Sequence, residues 1–327
     1  MVRRMSWTLD FVSLHKPVRT RQDSVSWLCD FGNFILTAMA RLLNIAHRGG
    51  ARLWPENTLY AFAQAARAGY DGAELDVQLS RDGYPVAFHD YRLKPELCRT
   101  PNGQWLRGRQ KPIRDLTASD LRSFDVGRIK PRTLYARTHR VLHPRDGERI
   151  PLLSEVIATV RSLRKNFRLF IEIKTCSENR SLSAAPEAVA EAVVRELRAK
   201  RYIEDAVLVG FDWRALIQAK RLEPALACWF TTKRRGPRSD PAWAAGFHPS
   251  KFGGSIAESI CSAGGQGWLC SRAQATRARI EDAHRLDLAF GVWTVNDSRA
   301  MRRFAGLGAD AIITDRPDRL AAQNSGS

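Results

Sequence analysis

The feature that most constrains the fold is the alternation of short apolar runs with longer amphipathic stretches. Strands that alternate with helices and end in polar residues are typical of a parallel α/β barrel. The sequence therefore predicts an α/β fold, a (β/α)8 TIM barrel. Nine apolar runs qualify as strands, at 42–46, 73–77, 85–88, 168–173, 207–212, 226–230, 267–270, 291–296 and 311–315. Such a barrel holds eight strands, and the pattern leaves the run 267–270 without a place.

Two histidines follow directly after predicted strands. His47 comes after the run 42–46, and Gly49 allows the backbone to turn sharply, as a loop over a phosphate requires. His89 comes after the run 85–88. A single histidine at a strand end is usually structural, but histidines titrate near neutrality and suit proton transfer. Both are therefore candidate catalytic residues.

Glu74 and Asp76 lie two residues apart in the run 73–77, so they share one face of the predicted strand. Such a pair most often lies on a solvated sheet face. In a buried strand, however, unpaired carboxylates are costly, and a divalent cation removes that cost. Two carboxylates on one strand face suit a hard ion with oxygen ligands, which predicts Ca²⁺ or Mg²⁺.

Several short motifs occur in order along the chain. They are His47-Arg48-Gly49, Pro55-Glu56-Asn57-Thr58, Glu74-Leu75-Asp76, Asp82-Gly83, His89-Asp90, Phe170-Ile171-Glu172-Ile173-Lys174, Trp293-Thr294-Val295-Asn296 and Ile313-Thr314-Asp315-Arg316-Pro317. In this order the set resembles the glycerophosphodiester phosphodiesterase family, from about residue 42 to residue 321. Each single motif is a weak signal, and the specificity lies in the combination.

The resemblance implies a reaction and a set of site residues. The substrate is expected to be a small-molecule glycerophosphodiester, cleaved to glycerol 3-phosphate and an alcohol. Glu74, Asp76 and Glu172 are expected to hold one divalent cation, Ca²⁺ or Mg²⁺. His47 and His89 are expected to act as general acid and general base. The sequence does not say which histidine takes which role, nor whether water or the glycerol 2-hydroxyl attacks first.

Three further residues are candidate substrate contacts. Arg48 has a planar fork that can grip two phosphate oxygens. Lys174 offers a point charge, with a buried Glu172–Lys174 ion pair as the alternative interpretation. Trp293 can form a wall for the glycerol or alcohol group, with a place in the barrel core as an equal alternative.

Other functions share these features. Cleavage of lysophospholipids or sphingomyelin uses the same two histidines and cation, and the loops after His89 and around 233–267 would decide it. A phosphatidylinositol-specific phospholipase C also pairs histidines in a barrel, but the motif order argues against it. A catalytically inactive anion-binding module is the alternative from another class. The full set of histidines and carboxylates argues against that module.

Composition adds weaker expectations. The chain has 52 Lys and Arg against 34 Asp and Glu, a net charge of +18, which favours anionic partners. Because the arginines are spread along the chain, we interpret the excess as dispersed and expect no nucleic acid partner; peripheral membrane contact stays open. Six cysteines without a CxxC pair favour reduced thiols. Without a convincing signal peptide, the cytoplasm is the expected compartment. The sequence does not determine the oligomeric state.

The chain divides into an extension and one catalytic domain. Residues 1–41 lie outside the resemblance and are expected to be partly disordered or amphipathic, and residues 42–323 form the barrel domain. A long arginine-rich insertion, 91–149, follows the third strand, and its His139 and His143 are interpreted as exposed loop residues. The irregular stretch 233–267 is a candidate lid or surface excursion.

Overall fold

The computed structural model describes residues 41–233 and 241–324. Eight of the nine strands in these residues are parallel and close into a barrel, because β1 pairs with both β2 and β9. The strands are β1 Leu43–Ala46, β2 Gly72–Leu79, β3 Pro85–Ala87, β4 Arg168–Ile173, β5 Ala206–Gly210, β6 Ala227–Thr232, β7 Gly267–Ser271, β8 Ala289–Trp293 and β9 Ala311–Thr314. The predicted (β/α)8 TIM barrel is confirmed.

Most of the helices connect barrel strands and pack on the outside of the barrel, and two short ones lie in the long segment between β3 and β4. The helices are α1 Leu59–Arg67, α2 Ala118–Arg122, α3 Leu134–Thr138, α4 Leu153–Leu163, α5 Pro186–Ala199, α6 Trp213–Leu222, α7 Ile256–Ser262, α8 Arg277–His284, α9 Ser298–Gly306 and α10 Pro317–Asn324. Local signals set their ends; in α1, for example, the side chain of Thr58 accepts a hydrogen bond from the N–H of Ala61. Within the described residues, none of these helices is long and apolar enough to cross a membrane.

One strand assignment differs from the sequence interpretation. The unplaced run 267–270 belongs to the barrel as β7, between β6 and β8. The strand outside the barrel is β3, which pairs antiparallel with the end of β2 so that Val77 lies opposite Ala87. The turn at Asp82 and Gly83 folds β3 back as a hairpin, and an apolar run by itself does not reveal that reversal.

The alternation of side chains in β2 and β4 separates the core from the site. One set of alternating positions packs against the helices in the main hydrophobic core: Leu75, Val77, Ile171 and Ile173, with Phe62 and Val156. Burial of each such side chain contributes about 1.5–3 kcal/mol. Glu74, Asp76 and Glu172 occupy the other set of positions, inside the barrel at the carboxyl end of the strands.

The predicted insertion follows β3 and forms an excursion, residues 88–152, with its own hydrophobic core. That core comprises Val86, Phe88, Leu93, Leu97, Cys98, Leu106, Ile113, Leu121, Val126 and Ile150. The excursion contains α2 and α3 and returns to β3 where Val86 pairs with Leu152. His143 is exposed as predicted, but His139 is half-buried and stacks on Tyr135 with ring centres 4.0 Å apart.

Two predicted regions are covered in part. The N-terminal extension falls outside the described residues except for Arg41. Of the stretch 233–267, residues 234–240 lie outside the described residues. The remainder contains two short 3-10 turns and α7.

Candidate active site

The three candidate metal ligands come together at the carboxyl end of the barrel. In the parallel register of β2 and β4, Asp76 lies directly beside Glu172, and Glu74 is two residues back on the same face of β2. One carboxylate oxygen from each residue lies within 4.8 Å of the others. Glu74 and Asp76 are almost completely buried. The structure thus brings these three side chains together, and their role as metal ligands stays a prediction.

Burial and mutual repulsion govern the protonation of this cluster. Burial, with the charges of Asp76 and Glu172, raises the pKa of Glu74 to about 8. Burial would also raise the pKa of Asp76, but nearby cations, Arg48 above all, hold it well below its usual range. Burial and repulsion by the neighbouring carboxylates therefore favour the protonated form of Glu74. Three converging carboxylates are a ligand set that fits Ca²⁺ or Mg²⁺, and an ion bound there would favour the ionised form of all three.

Lys174 supplies a counter-charge inside the cluster. Its Nζ donates to Oε1 of Glu172 at 2.8 Å and lies 3.5 Å from Oδ1 of Asp76. Burial lowers the pKa of this lysine, but the two carboxylates outweigh burial and raise it. The Glu172–Lys174 ion pair, which the sequence left open as an alternative to a phosphate contact, is formed in this structure.

His47 is held by the strands of the barrel. It begins the short turn His47–Gly49 directly after β1, and its Nδ1 lies 2.5 Å from Oδ1 of Asp315, which follows the neighbouring strand β9. Its Nε2 lies 3.8 Å from Oε2 of Glu74. Burial lowers the pKa of His47, but Asp315 and Glu74 outweigh burial and raise it. The ring is fixed at Nδ1 and presents Nε2 to the carboxylate cluster.

Asn296 completes the support of His47. Its Nδ2 donates to Oδ2 of Asp315 at 2.6 Å, and its Oδ1 accepts from the backbone N–H of Asp315 at 2.9 Å. Asn296 and Asp315 both belong to motifs noted in the sequence, but the sequence analysis assigned no role to either residue. Their positions just after β8 and β9 were the available signal, because the carboxyl ends of barrel strands meet at one mouth.

Arg48 lies between the carboxylates and has a left-handed backbone conformation, with φ 51°. Its backbone N–H donates to Oε2 of Glu74 at 3.0 Å, and its Nη1 donates to Oε1 of Glu56 at 2.9 Å. Its Nε lies 3.2 Å from Oδ2 of Asp76 but forms no hydrogen bond there. The guanidinium thus already pairs with two carboxylates, and its grip on phosphate stays a prediction.

A tyrosine from the excursion supports Arg48 indirectly. Tyr135 of α3 donates a hydrogen bond to Oε2 of Glu56, whose other oxygen accepts from Arg48. Burial and the charge of Glu56 raise the pKa of Tyr135 far above its usual range, so the phenol keeps its proton. Sequence motifs did not point to Tyr135, because it is 79 residues from Glu56 and belongs to the insertion, where the sequence analysis found no site motif.

Asn57 is a second support that sequence patterns did not assign. Its backbone has φ 54°, its Nδ2 donates to Oδ2 of Asp76 at 2.9 Å, and its Oδ1 accepts from the N–H of Asp76 at 3.2 Å. The amide therefore fixes both the backbone and the carboxylate of one candidate ligand.

His89 approaches the cluster from the excursion. Its Nδ1 lies 2.9 Å from Oδ1 of Asp90, and Nζ of Lys94 lies 3.6 Å from the other oxygen of Asp90. Gln78 of β2 donates to the backbone carbonyl of Asp90 at 2.8 Å and so ties this turn to the barrel. The side chain of His89 is 32% exposed, against 18% for His47.

Trp293 ends β8 and is partly buried at the barrel mouth. Its ring meets Phe211 edge-on with centres 5.3 Å apart. Its indole Nε1 is buried and has no hydrogen-bond partner among the described residues. The position agrees with a wall of the site, and its role in substrate binding stays a prediction.

Comparisons of the sequence identify related proteins. A family model, the glycerophosphoryl diester phosphodiesterase family, matches residues 47–319. A glycerophosphodiester phosphodiesterase of Bacillus altitudinis is 31% identical over 279 residues, which cover 84% of this chain and 94% of that protein. One from Caldanaerobacter subterraneus is 28% identical over 291 residues, which cover 86% and 96%.

Solved structures share the fold. A putative glycerophosphoryl diester phosphodiesterase from Silicibacter pomeroyi superimposes with a TM-score of 0.74 at 29% identity, covering 86% of this chain and 92% of that one. A phosphodiesterase from Oleispira antarctica, solved with its product sn-glycerol-3-phosphate, gives a TM-score of 0.66 at 23% identity, covering 88% and 98%. The matched region spans both histidines and all three carboxylates. The chain belongs to the glycerophosphoryl diester phosphodiesterase family.

Proposed function

We propose that this chain is a metal-dependent phosphodiesterase that hydrolyses a small-molecule glycerophosphodiester to glycerol 3-phosphate and an alcohol. The observation that carries the proposal is the convergence of three buried carboxylates within 4.8 Å of one another, with His47 and His89 approaching from two sides. The Oleispira phosphodiesterase, which has the same fold, was solved with sn-glycerol-3-phosphate, and this supports the product class.

Glu74, Asp76 and Glu172 are the proposed ligands of one divalent cation. The chemistry that such an ion supplies is polarisation of a phosphoryl oxygen and stabilisation of the charge that develops on it. All three ligands offer oxygen, so Ca²⁺ or Mg²⁺ fits and zinc is not the natural occupant. Lys174, which now neutralises Glu172, would then turn its charge to the phosphate.

His47 and His89 are the proposed proton carriers. Each has Nδ1 paired with a carboxylate, Asp315 or Asp90, so each keeps Nε2 for transfer. One histidine takes the proton of the attacking hydroxyl group, and the other gives a proton to the leaving alcohol oxygen. Either water or the 2-hydroxyl of the glycerol group fits this scheme as the first nucleophile.

The remaining predicted contacts surround the anion. Arg48 is the proposed phosphate ligand, because it lies against the carboxylate cluster on a backbone turn that Glu74 fixes. Trp293 is the proposed wall for the glycerol or alcohol group, at the end of β8.

The test is the release of glycerol 3-phosphate from glycerophosphocholine by the wild type, by His89→Ala and by the control His143→Ala, whose histidine is exposed. We expect turnover by the wild type and the control, and a loss of about 10²–10⁴-fold in His89→Ala. Lysophosphatidylcholine is assayed in parallel to test the lipid alternative. If it is cleaved faster than glycerophosphocholine, a lysophospholipid becomes the preferred substrate class. Wild-type turnover in a folded His89→Ala variant would contradict the proposed role.

A further inference from the structure

The net charge is uneven along the chain, although the arginines themselves are spread over its whole length. Residues 91–149 hold fifteen Lys and Arg against six Asp and Glu, which is half of the net charge of +18. Several of these arginines form ion pairs, such as Arg128 with Asp146 at 2.6 Å. Residues 132–141, called the rim segment below, differ because they include three arginines and no carboxylate.

The cations of the rim segment face solvent. Arg132, Arg137 and Arg140 are exposed, and none forms an ion pair with a carboxylate of the described residues. Nε of Arg140 donates to the backbone carbonyl of Arg137 at 3.2 Å. The guanidinium of Arg140 therefore lies close to the backbone of Arg137 at the end of α3. The segment therefore presents a local positive charge that the protein itself does not neutralise.

The same segment exposes large apolar side chains. Among the described residues, four large hydrophobic side chains are exposed, and two of them, Leu134 at 72% and Val141 at 49%, belong to the rim segment. Helix α3 buries none of its residues. Leu134 and Arg137 are three positions apart in this helix, so an apolar and a cationic side chain share its outer face.

The rim segment lies beside the mouth of the barrel. Within it, Tyr135 donates to Glu56 on the loop that precedes α1. Two residues after its end, the backbone N–H of His143 donates to the carbonyl of Leu53 on the same loop at 2.7 Å. The exposed face of α3 is therefore on the side of the protein where the candidate site opens.

We propose that the rim segment docks this protein on the surface of an anionic lipid bilayer. The arginines contact lipid phosphates, and Leu134 and Val141 enter the boundary between headgroups and acyl chains. A nucleic acid also attracts arginines, but its backbone offers no apolar layer for exposed leucine and valine side chains. The docking surface goes beyond the proposed function and does not require that the site be active.

The test is co-sedimentation with vesicles of equal parts phosphatidylglycerol and phosphatidylcholine. The two variants compared are the rim triple, Arg132→Gln with Arg137→Gln and Arg140→Gln, and a matched triple on α9, Arg299→Gln with Arg302→Gln and Arg303→Gln. Both remove the same charge from exposed positions. We expect the rim triple to lower partitioning onto the vesicles by about 100-fold, because each arginine near the lipid surface contributes about fivefold. The matched triple should lower it by less than about tenfold, because charges away from the lipid surface are screened by salt. Equal losses would overturn the proposal.

A second pair of variants tests the apolar contact. Leu134→Ser should lower partitioning by about tenfold, whereas Leu163→Ser, 38% exposed on α4, should leave it unchanged. Docking on lipid would be overturned if Leu134→Ser partitions onto the vesicles as well as the wild type does. It would also be overturned if the wild-type protein binds duplex DNA more tightly than it binds these vesicles. Turnover of glycerophosphocholine should be unchanged in all four variants. Because binding and turnover are measured separately, a failed docking surface is distinguished from a failed hydrolytic site.

Discussion

The two histidines of the site are held by two different parts of the molecule. His47 stands on the barrel, in a turn after β1, and its partner Asp315 follows the adjacent strand β9. His89 stands where the chain leaves the barrel, and its partner is the next residue, Asp90. The first environment is a closed frame of strands, and the second belongs to an excursion with its own core.

The barrel and the excursion contribute different parts of the site. The barrel fixes the three carboxylates and one histidine, whereas the excursion provides the other histidine and reaches back to the barrel loops. Tyr135 donates to Glu56, which holds Arg48, and Nζ of Lys94 lies 4.5 Å from the centre of the Tyr135 ring and 3.6 Å from Asp90. We therefore expect changes on the barrel side to affect stability and activity, and changes on the excursion side to affect mainly activity.

Replacement of each histidine by alanine gives the largest expected effect. His47→Ala and His89→Ala should each lower kcat on glycerophosphocholine by about 10²–10⁴-fold, because each removes a proposed proton carrier. Their stabilities should differ. His47→Ala removes the partner of Oδ1 of the largely buried Asp315, whose Oδ2 still accepts from Asn296, and should cost about 1–3 kcal/mol in the free energy of unfolding. His89→Ala, at a partly exposed position, should cost less than about 0.5 kcal/mol.

Measuring urea unfolding and kcat for both variants separates the loss of stability from the loss of activity. Equal stabilities, or a larger loss for His89→Ala, would contradict the division between barrel and excursion.

Two glycines provide a matched pair for backbone strain. Gly49, after His47, and Gly83, in the β2–β3 hairpin, both have φ +83°, a conformation that costs an alanine about 1–2 kcal/mol. A Cβ on Gly49 would lie 2.7 Å from the Cβ of Ala61, whereas a Cβ on Gly83 meets no atom within 4 Å. Gly49→Ala should therefore cost about 1–3 kcal/mol more than Gly83→Ala in urea unfolding, and should lower turnover by moving His47. A similar cost at both positions would mean that the turn after β1 is not tightly packed.

Loss of the phenol of Tyr135 tests the reach of the excursion. Tyr135→Phe removes the hydrogen bond to Glu56 and should lower kcat/KM by about tenfold, because Arg48 loses its fixed partner. Tyr84→Phe is the control, since Tyr84 is 50% exposed. Kinetics like those of the wild type in Tyr135→Phe would show that Glu56 holds Arg48 without help.

A double-mutant cycle with Arg48→Lys sharpens that test. Arg48→Lys keeps the charge but loses the fork, so turnover should fall. If Tyr135 acts through Arg48, the double variant should lose less than the product of the two single losses. If the two losses simply multiply in the double variant, Tyr135 does not act through Arg48. If turnover is unchanged in Arg48→Lys, Arg48 does not bind the phosphate through its fork.

Much of this arrangement was predictable because it is local. Each catalytic or metal-binding candidate lies within or directly after a short strand, and the carboxyl ends of barrel strands converge. Strand periodicity placed Glu74 and Asp76 on one face, and the register of β2 and β4 then brought Glu172 beside them.

The remaining features depend on contacts between distant residues. The run 267–270 was left without a place although it forms β7, because nothing in a short apolar run distinguishes a parallel strand from a hairpin strand such as β3. The contact between Tyr135 and Glu56 depends on the path of the excursion. The support that Asp315 gives to His47 joins residues 268 positions apart, and no local pattern assigned it.

The proposed role of the carboxylate cluster is to hold a divalent cation. The direct measurement is kcat on glycerophosphocholine together with elemental analysis, before and after treatment with EDTA, for the wild type and Glu74→Ala. We expect the chelated wild type to be inactive and to recover with Ca²⁺ or Mg²⁺, and Glu74→Ala to stay inactive when metal is added, because it lacks one of three ligands. Full turnover after rigorous chelation, with no metal found by elemental analysis, would contradict a metal-holding role of the cluster.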